Sequence, residues 1–127
     1  ERDQHLVAPP PGSPGFPPDR RPEGYVLVNV GCTAPVRVLY DHTLWPGALA
    51  AVRAGAVPPA DRIAMLSDRF ALAWAGLPGG VADSLDLVRA AFEAGEEHPD
   101  VLAAAASHLH ELSGLFQGQP WHWKLRE

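Results

Sequence analysis

Between Thr43 and Gln117 the apolar residues recur at intervals of three and four, the period of helices with one buried face. Trp45, Ala48, Leu49 and Val52 form a first stripe, with Thr43 as cap, Pro46 in the first turn and Gly55 as the stop. A second helix starts at Pro58-Pro59 with Asp61 in its first turn. Its stripe is Ile63, Leu66, Phe70, Ala73, Trp74 and Leu77, and Gly76 with Pro78-Gly79-Gly80 ends it. Val81, Leu85, Val88 and Phe92 mark a third helix, with Asp83 and Asp86 on its outer side and Gly95 as its break. A fourth follows Pro99, with the stripe Leu102, Ala105, Leu109, Leu112 and Phe116, and the run Ala103 to Ala106 allows close approach of a neighbour. Short loops predict antiparallel helix pairs of the α-solenoid, HEAT or armadillo kind, although no fixed-period repeat relates the two pairs. The predicted core centres on Leu66, Phe70, Trp74, Leu85, Val88, Leu109 and Leu112, with Trp45 also inside.

Ahead of the helices the period changes. Tyr25 to Val30 and Val36 to Tyr40 are rich in strand formers, and the connection Gly31-Cys32-Thr33-Ala34-Pro35 carries turn formers, so a β-hairpin is predicted over residues 24–41. Two strands alone are marginal in water and need other strands or a helix to cover them. The fold expected is mostly α with a small β part: a proline-rich arm over 1–23, the hairpin over 24–41, the start of a helical domain over 42–117, and an irregular tail over 118–127.

Composition adds three points. Of the 14 prolines, those at positions 9, 10, 11, 14, 17, 18 and 22 fall in the arm, where lost amide donors and fixed φ angles predict an extended linker rather than a docking peptide for a proline-reading domain. A net charge of −5, from 10 basic and 15 acidic residues scattered along the chain, argues against a nucleic-acid partner, which needs clustered Lys and Arg. The single cysteine, Cys32, excludes an internal disulfide framework, so a reducing, cytoplasmic setting is expected. No apolar run is long enough for a membrane span, no secretory leader is visible, and the start at Glu1 reads as that of a fragment or processed chain.

Asn29-Val30-Gly31-Cys32-Thr33-Ala34-Pro35-Val36-Arg37-Val38-Leu39-Tyr40-Asp41 resembles the strand-turn-strand that ends the third domain of zinc aminopeptidases of the puromycin-sensitive and alanyl type, written Asn-x-Gly-x-x-Gly-aromatic-aromatic-Arg-Val-x-Tyr. Ala34-Pro35-Val36 departs from it, replacing Gly and two aromatics. Pro59 to Gly76, with Asp61-Arg62 followed by Asp68-Arg69-Phe70 and Gly76, is similar to the Asp-Arg and Asp-x-Phe-x-Leu-x-x-x-Gly helix that opens that family's C-terminal helical domain. Order and spacing of the two motifs agree, over about residues 25 to 117. The resemblance assigns Asn29, Gly31, Arg37, Tyr40, Asp61, Arg62, Asp68, Phe70 and Gly76 as structural motif residues. It implies a non-catalytic fragment spanning the end of a β-sandwich domain and the start of the helical domain. Its partners would be the remainder of the aminopeptidase and the peptide substrate of that parent enzyme, and its role packing and gating. A stand-alone helical adaptor or a decayed remnant is the alternative.

Chemistry within the chain is sparse. The family's zinc is held by an H-E-x-x-H helix. His110-Glu111 begins such a motif, but the fifth place is Gly114, and the Gly-x-Met-Glu-Asn substrate motif is missing because Leu66 follows the only methionine, Met65. No catalytic or metal-binding residue is assigned and no cofactor is expected in this chain, zinc belonging to the parent enzyme. His108 and His110 lie about 200° apart around a helix and cannot share a metal. Together with His122 they read as surface histidines, and Cys32 reads as an inert thiol. Asp61, Arg62, Asp68 and Arg69 read as groups that tie helix ends together rather than as a substrate site. The chain alone is therefore expected to release no amino acid from an aminoacyl fluorogenic substrate, with or without added zinc. Zinc-dependent turnover that copurifies with the chain would refute this.

Overall fold

The computed structural model describes residues 25–121 and 124. The expected proline arm and most of the tail beyond Trp121 lie outside them. Four helices follow one another: α1 Trp45–Arg53, α2 Pro59–Trp74, α3 Gly80–Glu93 and α4 Pro99–Leu115. Three of them carry Pro in the first turn, where a missing amide costs no hydrogen bond. The expected cap Thr43 is not used: Leu44 is the residue at the cap and its side chain makes no capping bond, while Asp41 closes the turn ahead of α1, its Oδ1 accepting from the Thr43 and Leu44 amides, both at 2.9 Å.

Helices α1, α2 and α3 end alike, at Ala54-Gly55, Ala75-Gly76 and Ala94-Gly95, with each glycine at positive φ. At Gly76 (φ 77°) the glycine amide donates to Ala73 O and the Leu77 amide to Leu72 O, each at 3.0 Å, which satisfies carbonyls of the last turn. Gly79, ahead of α3, is required for a second reason. Besides its φ of 88°, a Cβ there would run into the Asp83 carboxylate and the Arg69 guanidinium.

Helix α2 packs most extensively on α3 and also on α4, and α1 packs on α3. Ala48, Val52, Leu66, Phe70, Leu87, Ala90 and Val101 form the innermost core. Leu66, Phe70, Val88 and Leu112 are buried as expected, and Leu109 is partly so. Three stripe residues are not: Leu85 is 38%, Trp74 43% and Phe92 54% exposed. Helix α3 is turned so that Ser84, Leu87, Val88, Ala90 and Ala91 face inward. It meets both α1 and α2, and close approach on two sides selects small residues over Leu85 and Phe92. Trp74 is the last residue of α2.

The expected hairpin is the main correction, because no strand forms among the described residues. Residues 25–40 run past α2 largely without helix, interrupted by a 3₁₀ turn over Val30–Cys32. Asn29, at φ 58°, closes this turn with its side chain, accepting from the Ala34 amide at 2.9 Å and donating to Ala34 O at 3.0 Å. The side chain thus takes the pairing that a ladder would have used. Near the other terminus Phe116 and Trp121 meet with ring centroids 5.0 Å apart, so the start of the tail packs back on the end of α4.

Phe70 is fully buried and its ring stacks on that of His108 in α4 at 4.7 Å. Replacing it by Ala should cost about 3–5 kcal/mol in urea unfolding. Phe92→Ala, at an exposed position, should cost clearly less, and equal losses would contradict the assignment of faces.

Candidate functional site

Helix α2 carries Asp-Arg twice, at Asp61-Arg62 and Asp68-Arg69. Seven residues are nearly two helical turns, so the two aspartates share one face and the two arginines another, about 100° away. The aspartates face the extended segment. Asp61 Oδ1 accepts from the Gly31 amide at 2.7 Å, and Asp68 Oδ2 accepts from the Val38 amide at 3.1 Å. Asp68 Oδ1 also receives Arg37 Nη1 at 3.1 Å, and the same nitrogen donates to Ser67 Oγ at 2.7 Å. Both carboxylates are buried. Acceptors so placed stand in for the absent β ladder, because backbone amides that lose water need a partner.

Tyr40 completes this side. Its hydroxyl accepts from the Val28 amide at 3.1 Å, joining the two ends of the segment. Burial above all, and then the charges of Asp68 and Asp61, push its phenol up from the ordinary value. The Tyr40 ring lies 6.1 Å from that of Trp45, over which the Arg69 guanidinium sits at 5.1 Å. Between segment and helices remains a cavity of about 20 Å³ bordered by Asn29, Tyr40, Trp45, Asp61, Asp68 and Arg69.

The arginines serve helix α3. Arg69 Nη2 donates to Pro78 O at 3.2 Å and Asp83 Oδ2 at 3.3 Å, both at the start of α3. Burial lowers the pKa of this guanidinium and the charge of Asp83 partly restores it. Arg62 reaches the loop after α3: Nη2 donates to Glu96 Oε1 at 2.8 Å, Nε lies 2.6 Å from Oε2, and Nη1 donates to Val57 O. Burial raises the Glu96 carboxyl, but hydrogen bonds from Arg62 and the His98 amide, with the charges of Arg62 and His98, outweigh it and hold the group below its ordinary value.

Of the nine motif residues, Asn29, Gly31, Arg37, Tyr40, Asp61 and Asp68 therefore come together along the segment. Arg62 works on another face, Phe70 lies in the core against α4, and Gly76 closes α2. The sequence names Arg69 as a helix-tying group outside the motif set, but it does not identify the partners of the two arginines, Asp83 and Glu96.

The described residues do not fit a zinc ion. Among the described residues no three His, Cys, Asp or Glu side chains are grouped to hold a metal. His108 is engaged with Phe70, with Nδ1 3.9 Å from Glu111, and His110 is exposed. Cys32 is free and exposed. No helix of the described residues is long and apolar enough to cross a membrane. The arrangement can clamp a chain segment but offers no nucleophile beside a base.

Asp68→Ala would leave the buried Val38 amide without its acceptor and should cost about 1–3 kcal/mol in denaturant unfolding. Arg37→Ala removes only a half-exposed ion-pair partner and should cost no more than about 1 kcal/mol. Equal effects would mean that the charge pair, not the amide contact, matters. For Glu96 the folded carboxyl titrates below the unfolded one, so its contribution is complete above about pH 4.3 and disappears as pH falls through the lower folded value. Melting temperatures of the native chain and Glu96→Gln should differ at neutral pH and converge in acid, as read by circular dichroism.

Neither a curated protein nor a solved structure gives a match. The model of one protein family does, over residues 25–127, which takes in the extended segment and all four helices. The match spans most of the chain and the described residues are helical as such a domain requires: the chain belongs to the ERAP1-like C-terminal domain family.

Proposed function

We propose that this chain is a non-catalytic part of a zinc metallo-aminopeptidase, the stretch where the last β-sandwich domain passes into the helical C-terminal domain. The observation that carries the reading is the seating of two backbone amides of the segment, Gly31 and Val38, on the Asp61 and Asp68 carboxylates of α2. A connection held this way moves with the helices as one body, so a displacement of the helical domain is passed to whatever precedes Tyr25. The role is that of a gating hinge: it sets access of peptides to a chamber whose zinc and peptide-cleaving residues lie elsewhere in the longer polypeptide. Its partners are the rest of that enzyme and, indirectly, the peptide.

The helices continue as a solenoid in this reading. Support comes from the packing of α1 on α3 and of α2 on α3 and α4, and from Leu85 and Phe92, which leave an apolar strip on α3 for a further helix pair.

The test uses the longer polypeptide. Its sequence upstream should contain H-E-x-x-H. There, Asp61→Asn with Asp68→Asn should leave zinc content and cleavage of a single aminoacyl amide unchanged while altering KM or kcat for longer peptides. Absence of H-E-x-x-H upstream, or equal losses on both substrates, would overturn the proposal.

A further inference from the structure

The small cavity between the extended segment, α1 and α2 contains more hydrogen-bonding groups than the protein itself satisfies. Trp45 Nε1 is buried without a protein acceptor, and so are Nε and Nη1 of Arg69, a side chain only 1% exposed. Both residues border the cavity of about 20 Å³. Asp61 and Asp68 border the same cavity, and Asp61 accepts from Gly31 through Oδ1 alone.

We propose that this cavity is a binding site for a single ordered water molecule, which accepts from Trp45 Nε1 and Arg69 and donates to the Asp61 and Asp68 carboxylates. The size suits one water, which needs roughly 10–15 Å³ of such space and two to four polar partners. The chemistry separates water from the ions of similar size. A cation would meet the N–H groups of Trp45 and Arg69 head on, and a chloride would lie against two carboxylates. Water alone serves both sets of partners. The bound molecule joins α1, through Trp45, to α2 and completes the same clamp that Asp61 and Asp68 form on the segment. This inference stands on the cavity and its donors, independently of the reading as part of an aminopeptidase.

A high-resolution crystal structure of the chain, grown once with and once without chloride, tests it. The expected result is one water peak within hydrogen-bonding distance of Trp45 Nε1 and Arg69 in both crystals. An empty cavity, an anomalous chloride signal, or a protein group filling the space would overturn the assignment. In solution the Trp45 indole N–H should show a cross-peak to a long-lived water by NMR. Ala64→Val, which adds bulk to the cavity wall, should abolish that cross-peak. Its absence from the native chain, or its survival in Ala64→Val, would count against the proposal.

Discussion

The structure depends on the hydrogen bonds that two aspartates of α2 accept from backbone amides of the preceding segment. Residues 25–40 have no neighbouring strand among the described residues, so their amides must find acceptors or stay wet. Asp61 and Asp68 supply them at Gly31 and Val38. A two-turn spacing along one helix is about 10 Å, so the two contacts pin the segment at separate points and fix its course along α2. The 3₁₀ turn, the Asn29 closure and the Tyr40 hydroxyl on Val28 all lie within that course.

The second face of the same heptad explains how α3 is held. Arg69 grips its beginning through Pro78 and Asp83, and Arg62 grips the loop beyond its end through Glu96. Leu66 and Phe70, about 140° to 180° from Asp61 around the helix, fill the side toward the core and α4. One helix thus assigns its aspartates to the segment, its arginines to α3 and its apolar residues to α4. Buried ion pairs of this kind add little net stability compared with well-packed apolar residues, because desolvation offsets much of the attraction. Their effect is geometric: removing either partner strands a charge, so each pair specifies one docking of α3.

Local signals made the helices legible and left the segment obscure. Pro46, Pro59 and Pro99 at the starts and Gly55, Gly76 and Gly95 at the stops act through their own backbone angles, and those boundaries are visible in the sequence. Tyr25 to Val30 and Val36 to Tyr40 have strand composition, but pairing depends on what lies alongside, here a helix bearing carboxylates. On α3 the large residues suggest a core face, while contact with two helices favours Ser84, Ala90 and Ala91. Within the candidate site, Asp61 and Asp68 were named by resemblance, but their partners lie 30 residues away in sequence, beyond the reach of periodicity. Arg69 reads from the sequence as a group that ties helix ends together, and its bonds to Pro78 and Asp83 agree with that, whereas its place over Trp45 is visible only in the tertiary structure.

The distribution of charge also constrains how this unit meets a neighbour. All four residues of the Asp-Arg heptad are engaged inside the chain, so they are not available as recognition groups. Several large apolar side chains are left partly in solvent, among them Trp74 at the end of α2, Leu85 and Phe92 on α3, and Leu115 at the end of α4. Scattered apolar residues on a surface need no explanation, but Leu85 and Phe92 lie seven apart on one face of a helix whose other faces are packed. Under the proposed reading the charged heptad fixes the internal geometry of the hinge and the apolar strip joins it to the next helices. Displacement at one end is then carried by packed side chains, which fit in discrete arrangements rather than deforming continuously.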